Sequence, residues 1–350
     1  MIDIDGKKYE INRKTAIVTN WDKIYCNILK RILKKGELCK NRTGIDTLSI
    51  EGVYFKLDVG KSFPILETKK VALANTITEL LWIYQAQTND VKWLHDRQNH
   101  IWDDWMIDDD GIYRIYEPYI NENKKNIVKV KDIYGNDTNL TASSLKENRT
   151  IKEAIYYGPE YAHTIGTAYG YVVKETKEFD NVLYSLKNNP TSRRNVVSLR
   201  QANLLKTGVL EPCVWASTYK VSNGKLNINV DVRSNDMPIG NPFNVTQYAI
   251  LLSLLAKVSN LEVGNLNWTI SDCHIYVNQL EQIKLQLNRF DKLLKWESFI
   301  KNNDDKEIIK EYKKILESSD IEELMTLKHL IIRENPELYL SNKDNFYEFD

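Results

Sequence analysis

Cysteine is scarce in this chain: four in 350 residues, at Cys26, Cys39, Cys213 and Cys273. No two of them form a C-x-x-C pair, which excludes the common zinc and redox motifs. So few thiols in so long a chain fit a reducing compartment. Neither sign of charge dominates, with 48 basic and 48 acidic residues. There is therefore no general basic field to attract nucleic acid. No apolar run approaches the ~18–20 residues of a membrane span. The N-terminal Met1-Ile2-Asp3-Ile4-Asp5 carries acids where a signal peptide would carry bases. Glycine-rich dinucleotide and P-loop signatures are missing, as are internal repeats and low-complexity tracts. These absences lead us to expect a cytoplasmic protein with no membrane or nucleic-acid partner.

What is present suffices for a sizeable core: 42% hydrophobic and 10% aromatic residues. Residues 1–18 suit a short strand pair. Asn20 can cap a helix carrying Ile24, Ile28, Leu29, Ile32 and Leu33, stopped at Gly36. Leu48 to Leu57 reads as a strand, and a second helix follows with Leu73, Ile77, Leu80, Leu81 and Tyr84 as its apolar set. Residues 108–163 are rich in Asp, Asn, Lys, Glu and Tyr and read as an insertion or small subdomain in one catalytic domain spanning 1–350. A helix marked by Phe179, Val182, Leu183 and Leu186 stops before Pro190. Ala216–Val221 and Leu226–Val232 form a hairpin about Ser222-Asn223-Gly224. A long apolar helix is expected from Asn244 to Val258, and the charged last fifty residues read as helical. Strands and helices alternate without a βαβ rhythm, so the class is α+β.

Cys213 follows Pro212 at the mouth of a strand. A thiolate there could add to an electron-poor carbon if arginines lower its pKa; the bland reading is a small buried hydrophobe. Cys26 on a helix face, Cys39 in a loop and Cys273 beside His274 read as structural. Arginine suits phosphate because its planar fork donates two parallel hydrogen bonds. Arg193-Arg194 form a compact anion site, whereas Arg42 and Arg233, taken singly, could be surface charges. Glu79 in an apolar helix would have a raised pKa if buried, or would reach the surface. Asn244 could cap its helix or read the amide edge of a pyrimidine. His274 and Tyr276 share one face of a strand and could bind a sugar hydroxyl or be structural.

In series these runs resemble thymidylate synthase. They are Asn41-Arg42-Thr43-Gly44, Phe63-Pro64, Glu67-Thr68-Lys69-Lys70, Glu79-Leu80-Leu81-Trp82, Ile101-Trp102-Asp103, Ala168-Tyr169-Gly170, Ser192-Arg193-Arg194, Pro212-Cys213, Arg233-Ser234-Asn235-Asp236, Gly240-Asn241-Pro242-Phe243-Asn244 and Asp272-Cys273-His274-Ile275-Tyr276. The resemblance covers most of residues 20–345, in the family's order. It implies an α+β fold on a large bent, mostly antiparallel or mixed sheet that packs against its twin in a homodimer. It implies methylation of dUMP at C5 by 5,10-methylenetetrahydrofolate, giving dTMP and dihydrofolate, with no metal and no NAD.

By resemblance, Cys213 attacks C6 of the uracil, Glu79 manages protons, Tyr169 helps remove the C5 proton, and Asn244 selects uracil. Arg42, Arg233 and Ser234 hold the phosphate, with Arg193 and Arg194 reaching into the partner's site. His274 and Tyr276 bind the 3′-hydroxyl. Asp236 serves both nucleotide and pterin, and Trp102, Gly240 and Phe243 complete the folate site. The chain departs from the pattern at Val214, Val232 and Asn41, and it stops near Tyr347-Glu348-Phe349, where the family continues into a closing tail. Truncation or a slightly altered chemistry would account for that. A deoxyuridylate hydroxymethyltransferase, with water in place of hydride, is the alternative. A missing tail would favour it, and Trp102 argues against it by shielding the intermediate. A nucleotide-, folate- or RNA-binding dimer without activity is a third reading.

Overall fold

The computed structural model describes residues 2–4, 7–9, 18–118, 126–146, 148–304, 306–308, 310–311 and 314. The chain end at Tyr347-Glu348-Phe349 and most of the charged last fifty residues, read as helical, lie outside these residues. In chain order the elements are β1 (Ile2–Ile4), β2 (Lys7–Tyr9), α1 (Asn20–Lys35), β3 (Glu37–Cys39), β4 (Thr47–Asp58), α2 (Leu73–Tyr84) and α3 (Lys92–His95). Then come β5 (Ile112–Tyr116), β6 (Ile127–Asp132), β7 (Asp137–Ser143), β8 (Ile151–Tyr156), α4 (Gly170–Thr176), α5 (Glu178–Asn188) and β9 (Val196–Ser198). The chain continues through β10 (Val214–Ser222), β11 (Lys225–Asp236), α6 (Gly240–Val258), β12 (Glu262–Tyr276) and α7 (Leu280–Asn302).

Two compact units are distinguished. The first draws on Met1–Lys30, Leu66–Lys70 and Leu280–Asp350. Its α7 buries Ile283, Leu287, Phe290, Leu293, Trp296 and Ile300, a stripe at helical spacing. Asp22 ties the unit together by accepting hydrogen bonds from the Glu67 amide at 2.9 Å and the Thr68 amide at 3.2 Å. Gln286 in turn donates to the Thr68 hydroxyl at 3.0 Å. Burial raises the Asp22 pKa, and these hydrogen bonds oppose it. The cap of α1 is Thr19 rather than Asn20: its hydroxyl accepts from the Asp22 amide at 2.9 Å, whereas Asn20 is already helical.

The second unit, Arg31–Ile65 and Val71–Gln279, contains the main sheet. Its six strands run β3-β4-β12-β11-β10-β9. Only β11 and β12 are parallel; the remaining pairs are antiparallel, giving the mixed sheet expected of an α+β protein. Alternation buries Leu226, Ile228, Val230 and Val232 of β11, with Leu266, Trp268 and Ile270 of β12. The β10–β11 hairpin closes on two residues, Asn223 and Gly224, with φ of 51° and 74°. Two left-handed residues are what the turn needs to match the strand twist, and Asn-Gly supplies them.

Three further local expectations give way. Helix α2 buries Thr76, Leu80, Trp82, Ile83 and Tyr84, while Leu73 and Ile77 are exposed. The apolar residues nearly surround this helix, so packing rather than periodicity chose its inner side. Helix α6 begins at Gly240, not Asn244. Pro242 falls in its first turn, where no amide hydrogen is needed, so it does not break the helix. Asn244 is therefore an interior helical residue and not its cap. Cys39 lies in the exposed edge strand β3 instead of a loop.

Within residues 108–163 a separate four-stranded sheet runs β5-β8-β6-β7. Ile112, Val130, Ala142, Ile151 and Ala154 form its own buried cluster. No helix among the described residues is long and apolar enough to cross a membrane.

Candidate active site

Cys213 is placed by the entry to β10. A bulge between Val214 and Ala216 shifts the register there. The Arg233 amide donates to the Cys213 carbonyl at 2.9 Å, so β11 holds the cysteine beside the sheet even where regular pairing ends. The Arg233 side chain grips the same turn: Nε donates to the Pro212 carbonyl at 3.0 Å and Nη2 to the Glu211 carbonyl at 2.6 Å. Nη2 also lies 3.9 Å from the Cys213 sulfur.

The sulfur faces a cavity of about 130 Å³ lined also by Glu79, Trp102, Tyr169, Asn244, Gln247 and Tyr248. Five expected site residues, from α2, α6 and the loops between elements, thus converge on one space. Burial raises the Cys213 pKa; Arg233 and then Arg42 act against it, while Asp236 and Glu211 add to it. The expectation of an arginine-lowered thiol is thereby corrected. Desolvation outweighs two guanidinium groups, one already committed to backbone carbonyls.

Glu79 receives hydrogen bonds on both oxygens, from Trp102 Nε1 at 2.7 Å and Gln247 Nε2 at 2.9 Å. Burial nevertheless raises its pKa, the two donors only moderating the shift. Trp102 packs edge-on against Tyr169, with ring centroids 5.2 Å apart. Burial holds the Tyr169 hydroxyl well above its ordinary pKa, and the neighbouring Cys213 and Glu79 raise it further. Tyr169 has φ of 48°, and the next residue must be glycine: a Cβ on Gly170 would lie 2.1 Å from the Thr88 carbonyl oxygen. Backbone strain of this kind persists where surrounding packing holds it. Another tyrosine after a glycine, Tyr161 of Gly158-Pro159-Glu160-Tyr161, packs against Tyr157 and does not line this cavity.

Beside the cavity, β11 and β12 run parallel and bring Ser234 opposite Asp272. Asp272 accepts from the Ser234 hydroxyl at 2.7 Å, from His274 Nδ1 at 3.1 Å and from Ser49. Burial alone would raise the Asp272 pKa, but the bonds from His274, Ser49 and Ser234 hold it well below the usual range. His274 and Tyr276 stand on the same side of β12, ring centroids 5.3 Å apart. Asp236 contacts Gln279 at 3.4 Å and the Ile239 amide at 3.4 Å. Asn244 Oδ1 accepts from Asn235 at 3.4 Å, and Asn235 Oδ1 accepts from Asn241 at 2.6 Å. Gly240 opens α6 and Phe243 is half-buried in its first turns. Arg193 and Arg194 are exposed between α5 and β9 and do not line the chain's own cavity.

No role was assigned from the sequence to Gln247, to Asp272 or to the Tyr84 and Tyr248 hydroxyls, which lie 2.7 Å apart. Gln247 lies one helical turn beyond Asn244, and Asp272 lies two strand residues before His274. Those spacings put each on the face of a residue already singled out.

A family model described as thymidylate synthase matches residues 23–323. A thymidylate synthase of Clostridium beijerinckii is 34% identical over 269 residues, covering 77% of this chain and 82% of that protein. One of Mycoplasma mobile is 36% identical over 271 residues, covering 76% and 84%. Among solved structures, the thermostable thymidylate synthase A from Bacillus subtilis superposes with a TM-score of 0.58 at 31% identity, covering 77% of this chain and 85% of that one. A match of this length, joined to a cysteine, a half-buried glutamate and an asparagine on one cavity, leads to one conclusion: the chain belongs to the thymidylate synthase family.

Proposed function

We propose that the chain methylates dUMP at C5 to give dTMP, with 5,10-methylenetetrahydrofolate as co-substrate and dihydrofolate as the second product. The observation that carries this reading is the convergence of Cys213, Glu79, Trp102, Tyr169 and Asn244 on one cavity. The names of the relatives favour it over the water-quenched, hydroxymethyl alternative. The folate supplies both the carbon and the hydride, so the reading calls for neither NAD nor a metal.

Cys213 forms a bond from sulfur to C6 of the uracil, and C5 becomes the nucleophile. At the end of the cycle the same C–S bond breaks and the thiolate is released. Because burial favours the neutral thiol, Arg233 and Arg42 provide the positive potential that helps draw the proton off. Burial favours the protonated form of Glu79, which suits it to hold and return a proton during the reaction. The Tyr169 hydroxyl stays protonated, so it acts in C5 proton removal as a hydrogen-bonding relay and not as a free base. Asn244 pairs with N3 and O4 of uracil.

Arg42, Arg233 and Ser234 hold the phosphate. Arg193 and Arg194 serve the site of a second copy, a role that their exposure supports. His274, oriented by Asp272, and Tyr276 bind the 3′-hydroxyl, and Asp236 sits between nucleotide and pterin. Trp102, Gly240 and Phe243 line the folate side. Residues 1–350 act as one catalytic domain, and 108–163 form an insertion with no catalytic part, which the separate core of its sheet supports. The free state of all four cysteines supports a cytoplasmic setting.

Incubation with dUMP and methylenetetrahydrofolate should raise dihydrofolate absorbance, with mass analysis showing a methyl group on the nucleotide. Cys213→Ser should abolish the covalent adduct with fluorodeoxyuridylate. Turnover by that variant, or a hydroxymethyl product from the parent, would overturn the reading.

A further inference from the structure

Outside the cavity, two imidazoles and a carboxylate meet within one short stretch. His95 ends α3, and Asp103 opens the 3-10 turn Asp103–Trp105. His95 Nε2 lies 2.7 Å from one oxygen of Asp103, and His100 Nδ1 lies 3.1 Å from the other. The two rings stack with centroids 4.9 Å and planes 28° apart. Among the described residues, these three side chains bring their ligand atoms within 4.8 Å of one another.

The spacing suits a small divalent ion. With ligand bonds of ~2.0–2.1 Å, the ligand atoms of a tetrahedral zinc site stand about 3.3 Å apart. The observed nitrogen-to-oxygen separations need only slight expansion to reach that. Two imidazoles and one carboxylate form a donor set suited to zinc, and three protein ligands leave the fourth position to solvent.

The stretch is also shaped before any ion arrives. The Gln98 amide donates to the His95 carbonyl at 2.9 Å, Asn99 to Leu94 at 3.1 Å and Asp103 to His100 at 3.3 Å. Gln98 takes the left-handed φ of 56° that folds the loop back on itself. Neighbouring cations are engaged elsewhere: Lys146 with Asp104, and Arg97 over the Trp93 ring. The His100 side chain is 63% exposed, so an ion can reach it from solvent.

We propose that His95, His100 and Asp103 form a binding site for a zinc-type divalent transition-metal ion, apart from the Cys213 cavity. Asp103 directly follows Trp102, whose indole donates to Glu79. A bound ion ties α3 to the turn that carries Trp102 and stiffens that wall of the cavity.

The test is calorimetric titration of the intact chain with zinc chloride, run in parallel on His100→Asn, Asp103→Asn, Cys39→Ser and Cys213→Ser. The parent should bind one equivalent, and the ion should raise its melting temperature by mass action. His100→Asn and Asp103→Asn should weaken binding by at least about tenfold and lose the thermal response. Their metal-free melting temperatures should match the parent's, which excludes misfolding as the cause. The two cysteine variants should bind as the parent does. Absence of binding by the parent, unchanged affinity in His100→Asn, or loss confined to a cysteine variant would each overturn the proposal.

Discussion

The Arg233 amide donates to the Cys213 carbonyl while the Arg233 guanidinium sits 3.9 Å from the Cys213 sulfur. One residue therefore fixes both the backbone and the electrostatic surroundings of the thiol. The same guanidinium holds the carbonyls of Glu211 and Pro212. It is a brace for the nucleophile's turn before it is a ligand for any anion.

Arg233→Lys keeps the charge and loses the fork. A lysine cannot reach both carbonyls in the same geometry. Hydrogen bonds from a charged donor contribute ~1.5–3 kcal/mol each, so adduct formation with fluorodeoxyuridylate should slow by about 10- to 100-fold. Rapid-mixing measurement of the adduct checks this, and an unaltered rate would mean that the turn holds its shape unaided.

Glu79→Gln should separate stability from turnover. Burial raises the folded-state pKa of Glu79 above its ordinary 4.5. The protonated carboxyl is thus favoured by folding. Its stabilising contribution is complete below 4.5 and is lost as pH rises through the raised folded value. Glutamine does not titrate, so the variant's melting temperature should fall less than the parent's across that window. Turnover should drop by about 10²- to 10⁴-fold as proton handling is lost. Parallel melting curves for the two proteins would contradict the raised pKa.

Asn244→Asp changes which base edge the cavity accepts. The amide offers one donor and one acceptor, whereas an ionised carboxylate only accepts. Preference should move from dUMP toward dCMP by about 10- to 100-fold, the equivalent of one hydrogen bond mispaired in a buried site. Competition between the two nucleotides measures it, and constant selectivity would assign base reading to another group.

Gly170→Ala should disturb the cavity from behind. The added methyl would meet the Thr88 carbonyl oxygen at 2.1 Å and its amide nitrogen at 2.7 Å. Both are backbone atoms, so the start of α4 must move and take Tyr169 with it. Overpacking of this kind costs about 1–3 kcal/mol. Thermal unfolding should show the loss together with reduced turnover, and full stability would mean that the Thr88 segment yields easily.

Much of the site was legible because its residues sit at points of local punctuation. Pro212 marks the turn before Cys213, Asn223-Gly224 marks the hairpin that returns the chain to Arg233, and β-spacing pairs His274 with Tyr276. Polar partners drawn from distant segments were not legible. Gln247 meets Glu79 across 168 residues of chain, and Ser49 meets Asp272 across 223. The inward side of α2 was misread for a related reason. Its apolar residues lie nearly all round, so the pattern contains no single face.

The order of residue types along the chain determined the strand alternation of β11, the turn that closes the hairpin, the apolar stripe of α7 and the identity of the reactive groups. Each follows from local backbone geometry, which a few neighbouring residues define. Tertiary structure alone decided that Thr76 goes inside while Ile77 stays out, that Asn244 sits within a helix, and that burial raises the Cys213 thiol pKa against the pull of two arginines. Those outcomes depend on how much water is removed around each group, and only the packed protein sets that.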